Sequence, residues 1–198
     1  MNKLLTKLGV SVEIQALFNI QGELRFDYGD SFEHFYQGGH RIPTTQNLWR
    51  AGNELAAQVI ISSSVMELIA FMSLNVQKFP DPENLFFIAT GNNCHPAKLH
   101  WIRSAFKKRK FILVYGNDLL SRLTDIKVAT GLRDKSTILS WSDPLVEFTT
   151  GNRNFRIEQN RVSLAAFERQ AGIRTHIRTG KPFPHNTYLE QLIYDATQ

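Results

Sequence analysis

Val59-Ile60-Ile61-Ser62-Ser63-Ser64-Val65-Met66-Glu67-Leu68 decides the fold. An apolar triplet runs straight into three serines. Apolar residues then recur at Val65, Leu68, Ile69, Met72 and Val76, the spacing of one face of a helix. A strand covered on both faces reads as an unbroken apolar run, and such strands pair in parallel with helices on either side. The unit repeats downstream. Leu85-Phe86-Phe87-Ile88-Ala89 predicts a second buried strand, Thr90 to Asn93 a loop, and Pro96 the first turn of a helix running to about Arg109. Phe111 to Tyr115 predicts a third strand, with a turn at Gly116-Asn117 and a helix over 118–132. Thr137-Ile138-Leu139-Ser140-Trp141 predicts a fourth. The expected fold is α/β, a mainly parallel, Rossmann-like sheet of about four strands with flanking helices.

Outward from this frame the pattern changes. Residues 3–19 read as a helical stretch broken at Gly9. Residues 21–37 alternate aromatic and polar side chains as a hairpin does. The expected division is an N-terminal helix-and-hairpin extension over 1–55 and an α/β domain over 56–198. An α+β extension is inserted around 145–182. It should hold short strands at 146–149 and 154–158 around Gly151-Asn152, a helix from Ser163 stopped by Gly172, and a strand within 173–179. A closing helix is expected over 186–196.

The chain has 198 residues and one cysteine, Cys94, which excludes a disulfide framework and a Cys-rich zinc site. No histidine pair has metal-binding helical spacing. No apolar run is long enough for a membrane span, and the first nine residues lack a secretory apolar core, so a cytoplasmic protein with no membrane partner is expected. Charge is uneven. Residues 1–95 hold 6 lysines and arginines against 9 acidic residues, whereas residues 96–198 hold 17 against 9. A basic half suits a polyanion, DNA or RNA, with Arg103, Lys107, Lys108, Arg109, Lys110, Arg122 and Arg156 as candidate contacts. The run 107–110 would equally serve as the basic last turn of a helix.

In an open parallel sheet, ligands bind beyond the carboxyl ends of the strands. Those ends carry Ser62-Ser63-Ser64, Thr90 to Asn93, Gly116-Asn117-Asp118 and Ser142-Asp143. Glu67 follows one turn into the first helix. Ser62, Ser63, Ser64, Asn92 and Asn117 are candidate ligand contacts, because a helix N-terminus with hydroxyl and amide neighbours suits phosphate. Asp118 would also serve as a helix N-cap, and Asp143 as part of a Ser-Asp-Pro turn.

Two of these segments, in order, resemble the motifs of the Toprim family of primases, topoisomerases and nucleases. Val59 to Leu68 resembles its first motif, with Glu67 on the helix acid and Ser63 where the family has its invariant Glu. Ile112 to Arg122 resembles the Asp-x-Asp motif, with Gly116 in place of the first Asp and Asp118 as the second. Pro184-His185-Asn186-Thr187-Tyr188-Leu189 looks like the closing segment of Toprim domains in mobile-element primases. The resemblance implies a noncatalytic Toprim-like module that binds nucleic acid or a phosphate-bearing ligand, with no cofactor and with partners in a replication or mobilisation system. Two alternatives stand beside it. One is an active nuclease or primase-type enzyme using Mg²⁺ with Asp118, Glu67 and Asp143, Asp118 alone being a weak metal ligand. The other is a protein-interaction scaffold.

Overall fold

The computed structural model describes residues 1–198, a mixed α/β protein. Two short helices open it, α1 (Lys3–Lys7) and α2 (Val12–Leu17), separated at Gly9, whose φ of +78° a side chain would resist. A small antiparallel sheet follows, β1 (Leu24–Asp27), β2 (Phe32–Tyr36) and β3 (Gly39–Arg41), one strand more than a hairpin. Then come β4 (Trp49–Gly52), β5 (Gln58–Ser62), α3 (Val65–Asn75), β6 (Leu85–Ala89), α4 (Pro96–Ala105), β7 (Lys110–Leu113) and α5 (Leu119–Leu132). A second antiparallel sheet is formed by β8 (Thr137–Ser142), β9 (Leu145–Thr150) and β10 (Arg153–Glu158). The chain closes with α6 (Leu164–Ala171), β11 (Arg178–Thr179) and α7 (Tyr188–Asp195).

The central sheet has five strands in the order β11-β7-β5-β6-β4. The first four are parallel, while β4 runs antiparallel to β6, with Trp49 opposite Ala89. The sheet is therefore mixed. Residue alternation explains why its inner strands read as solid apolar runs. Ile60, Phe87 and Ile112 point into one core with α3, α7 and the N-terminal helices. Val59, Ile61, Phe86, Ile88, Phe111 and Leu113 point into the other, with α4, α5, α6 and the second sheet. Both faces are dry, so no position on β5 or β6 after Gln58 tolerates a charge.

Three expectations need correcting. Thr137 to Trp141 is not a strand of the parallel sheet. It is the outer strand of the separate antiparallel meander, and β11 takes the parallel place beside β7. Its apolar residues are mostly outside, with Ile138 66% and Trp141 63% exposed. The close turns at Asp143-Pro144 and Gly151-Asn152 make local antiparallel pairing the short route. The helix expected to reach Arg109 ends at Ala105. Lys108 adopts φ +63° in the turn that feeds Lys110 into β7. Finally, β4 belongs to the first 55 residues in sequence but is an edge of the central sheet.

Phe87 is fully buried between both halves of the chain, so Phe87→Ala is expected to lower the unfolding free energy by about 3–5 kcal/mol. Ile138→Ala is expected to change it by less than about 0.5 kcal/mol, as for an exposed site. Urea unfolding of both variants checks this, and a large cost at Ile138 would contradict the placement of β8.

Candidate functional site

The carboxyl edge of the parallel strands is closed by side chains from elsewhere in the chain. Ser64 N-caps α3, its Oγ accepting from the Glu67 amide at 3.2 Å. The next free amides, Val65 and Met66, donate to the Glu33 carboxylate at 2.8 and 3.1 Å. Glu33 comes from β2 and is wholly buried. It also accepts from the Tyr28 hydroxyl at 3.0 Å and the Ser64 hydroxyl at 2.7 Å, and it pairs with His40 Nε2 at 2.9 Å. The position expected to hold phosphate is thus filled by an internal anion, favoured there by the amides and the positive helix end. Ser64, His40 and Glu33 do not form a nucleophilic relay. Ser64 Oγ and Glu33 both approach the same ring nitrogen, whereas a relay needs them on opposite nitrogens.

Glu67 repeats the device one layer on. Its carboxyl accepts from the amides of Tyr188 at 3.0 Å and Leu189 at 3.4 Å, so it caps α7. Thr187 and Glu190 add a capping box at the same end. Burial pushes the Glu67 pKa up to about 7, more than the hydrogen bonds from Thr187, Tyr188 and Leu189 lower it. A cavity of about 570 Å³ between α1, the β2–β3 turn and α7 reaches this carboxyl.

Asp118 N-caps α5, accepting from the Ser121 amide at 3.0 Å and the Ser121 hydroxyl at 2.6 Å. Burial alone would raise its pKa, but the Ser121 hydrogen bonds carry it below the usual carboxylate range. At Gly116, a Cβ would lie 2.8 Å from Asn186 O and 2.8 Å from Ser121 Oγ. No aspartate fits there, because the Asn186 segment lies on the turn and accepts from the Asn117 amide at 2.7 Å.

Two lysines complete the closure. Lys98 Nζ is buried and donates to the carbonyls of Thr45, Thr90 and Asn93 at 2.8, 2.5 and 2.8 Å. This ties the loop over residues 42–47 onto the end of β6. A Cβ on Gly91 would stand 2.6 Å from Pro43 O, so that loop sits directly on the glycine. Lys181 Nζ pairs with Asp125 at 2.5 Å and donates to Gly116 O at 2.6 Å, which ties the loop over residues 180–187 onto β7. Burial raises the Asp125 pKa to about 6 against the pull of Lys181.

The structure brings Ser62, Ser63, Ser64, Glu67, Asn117 and Asp118 to one edge, and it gives nearly all of them internal partners. Ser62 Oγ donates to Val114 O at 2.6 Å, and Asn92 Nδ2 to Ile42 O at 2.9 Å. Asn117 Oδ1 accepts from Arg122 at 3.0 Å. Asp143 lies apart, in the β8–β9 turn of the other sheet. Sequence reasoning missed Glu33, Lys98, Asp125 and Lys181. One signal was present: Glu33 shares the inward face of β2 with Phe35. The lysine contacts depend on loops far apart in sequence and left no local mark.

The basic residues lie elsewhere. A groove of about 410 Å³ between α4 and α5 is lined by His100, Arg103, Lys127, Lys135 and Ser136. Its one acid, Asp134, pairs with Arg103. Beyond the end of α4 stand Lys107, Lys108, Arg109 and Lys110, at the amino edge of the sheet. Arg156 pairs with Glu147 at 2.6 Å, and Arg122 is held by Asn117 and by carbonyls near α6.

Neither a protein-family model nor a curated protein nor a solved structure matches this chain. No helix is long and apolar enough to cross a membrane.

The raised pKa of Glu67 has a testable sign. A group bound more tightly to its proton in the folded state contributes stability in full below its unfolded value, here about 4.5. That contribution is lost as pH rises through about 7. Asp125, raised to about 6, acts in the same direction. Stability measured by urea unfolding is expected to fall between pH 5 and pH 7.5 from these two groups, and Glu67→Gln is expected to flatten the fall. An unchanged slope in the variant would contradict the assignment.

Proposed function

We propose that the protein is a noncatalytic, Toprim-like α/β module that binds nucleic acid along α4, α5 and the turn over residues 107–110. The observation that carries this reading is an unneutralised set of cations. Lys107, Lys108, Arg109, Lys110, Lys127 and Lys135 take part in none of the molecule's five ion pairs, although the chain holds 18 acidic residues. Cations gathered without counter-charges attract a polyanion and release its counterions on binding. The groove beside them adds the Ser136 hydroxyl, a donor suited to a phosphate oxygen.

The carboxyl edge supports the noncatalytic half of the reading. Glu67 and Asp118 are committed to helix ends, and Asp125 is committed to Lys181. A two-metal phosphoryl site needs several carboxylates free to converge on the ions. The Toprim resemblance rests on Val59 to Leu68 and Ile112 to Arg122, both at the junction of a parallel strand and its helix.

Titration with a labelled oligonucleotide across a salt series tests binding. The Lys107→Glu, Lys108→Glu, Lys110→Glu variant is expected to weaken binding for all sequences alike and to reduce the salt slope by about 1 per lost phosphate contact. An unchanged slope would place the interface elsewhere. No cleavage is expected with Mg²⁺ or Mn²⁺, and turnover abolished by Asp118→Ala would overturn the noncatalytic reading.

A further inference from the structure

The side of α4 facing away from the α5 groove carries a second recess, of about 390 Å³, between α4 and β4. Trp101 forms one wall. It is 39% exposed, an unusual position for the largest apolar side chain on a helix with solvent-facing Ala97, Ser104 and Ala105. Arg50 from β4 lies with its guanidinium 5.0 Å from the centre of the Trp101 ring. Gln46 and Asn47 line the opposite wall, and their side-chain amides have no hydrogen-bond partner in the chain. The lining contains no acidic residue.

We infer that this recess is a subsite for an unpaired nucleobase, stacked on Trp101 beside Arg50 and read by the free amides of Gln46 and Asn47. The inference rests on the nucleic-acid reading above and narrows it to single strands. Each part of the chemistry matches. An indole face and a guanidinium plane both stack on bases. A carboxamide offers a donor and an acceptor side by side, as the edge of a base requires. The recess is large enough for a base and its sugar. A base inside a duplex is already stacked and paired, and cannot enter without being extruded. Trp101 also stands four residues before the last residue of α4, roughly 6 Å along the helix at 1.5 Å per residue, and the basic turn follows directly. One strand could therefore leave its base at Trp101 and lay its phosphates on the basic turn.

The test compares a 12-nucleotide single strand with the 12-base-pair duplex of the same sequence. The readouts are fluorescence and salt titration of the full chain. Wild type is expected to prefer the single strand and to show quenched tryptophan emission with it. Trp101→Leu is expected to lose most of the quenching and to weaken single-strand binding about ten-fold or more, leaving duplex affinity unchanged. Trp101→Phe, which keeps an aromatic face, is expected to restore part of the affinity. The triple charge reversal at 107, 108 and 110 is expected to weaken both ligands. Binding that the charge reversal weakens but Trp101→Leu leaves unchanged, or weakens equally for strand and duplex, would overturn the subsite and leave the polyanion interface standing. If Trp101→Leu is misfolded by circular dichroism, Trp101→Phe and Gln46→Ala decide. Unchanged single-strand preference in both overturns the subsite. No salt-dependent binding by wild type to either ligand would overturn both readings.

Discussion

A carboxylate taken wholly out of water must be given donors, and Glu33 is given five. Two are the free amides at the start of α3, and the others are Tyr28, Ser64 and His40. Removing one partner of such a buried group costs about 3–5 kcal/mol, because the desolvation remains after the compensation is lost. The contact therefore fixes where the small N-terminal sheet sits against the central one. Glu33 and the α3 amides are more than thirty residues apart in sequence, so the interaction joins two parts of the fold that share no strand.

The rest of the carboxyl edge follows the same rule. Glu67, on the helix that Glu33 caps, in turn caps α7 and so seats the C-terminal helix. Lys98 and Lys181 supply positive charge to carbonyls at the ends of β6 and β7 and hold down the loops over 42–47 and 180–187. Anion positions are filled by carboxylates and cation positions by ammonium groups, all from the chain itself. A crevice that serves as a ligand site in many open parallel sheets is here used for cohesion. The α4–α5 flank and the amino edge, where the proposed interface lies, carry exposed cations that take part in no ion pair.

Much of this fold was legible in the residues. Val59 to Ile61, Leu85 to Ala89 and Phe111 to Tyr115 read as buried strands because both faces of each are covered, and solid apolar runs carry that information locally, although the last strand ends at Leu113. Asp118, Ser163 and Gly172 marked helix ends because caps act within three or four residues. Thr137 to Trp141 was misread because three apolar residues in five look alike in a buried strand and at an exposed edge. Only the neighbouring turns distinguish them. The carboxyl edge was half legible. The small, polar, acid-poor residues Ser62 to Ser64 and Gly116-Asn117 were visible, but the closure of that edge by Glu33, Lys98 and Lys181 depends on tertiary approach. A strand-borne Glu on the face of Phe35 was the one local sign.

The central claim is that Glu33 occupies the α3 anion position and thereby excludes an external anion. Thermal unfolding of wild type and Glu33→Ala, each with and without 20 mM phosphate at matched ionic strength, tests it directly. Wild type is expected to show no specific phosphate shift. Glu33→Ala is expected to unfold at a markedly lower temperature and to recover part of that loss in phosphate. A wild type that phosphate stabilises as much as the variant, or a variant with unchanged stability, would contradict the account.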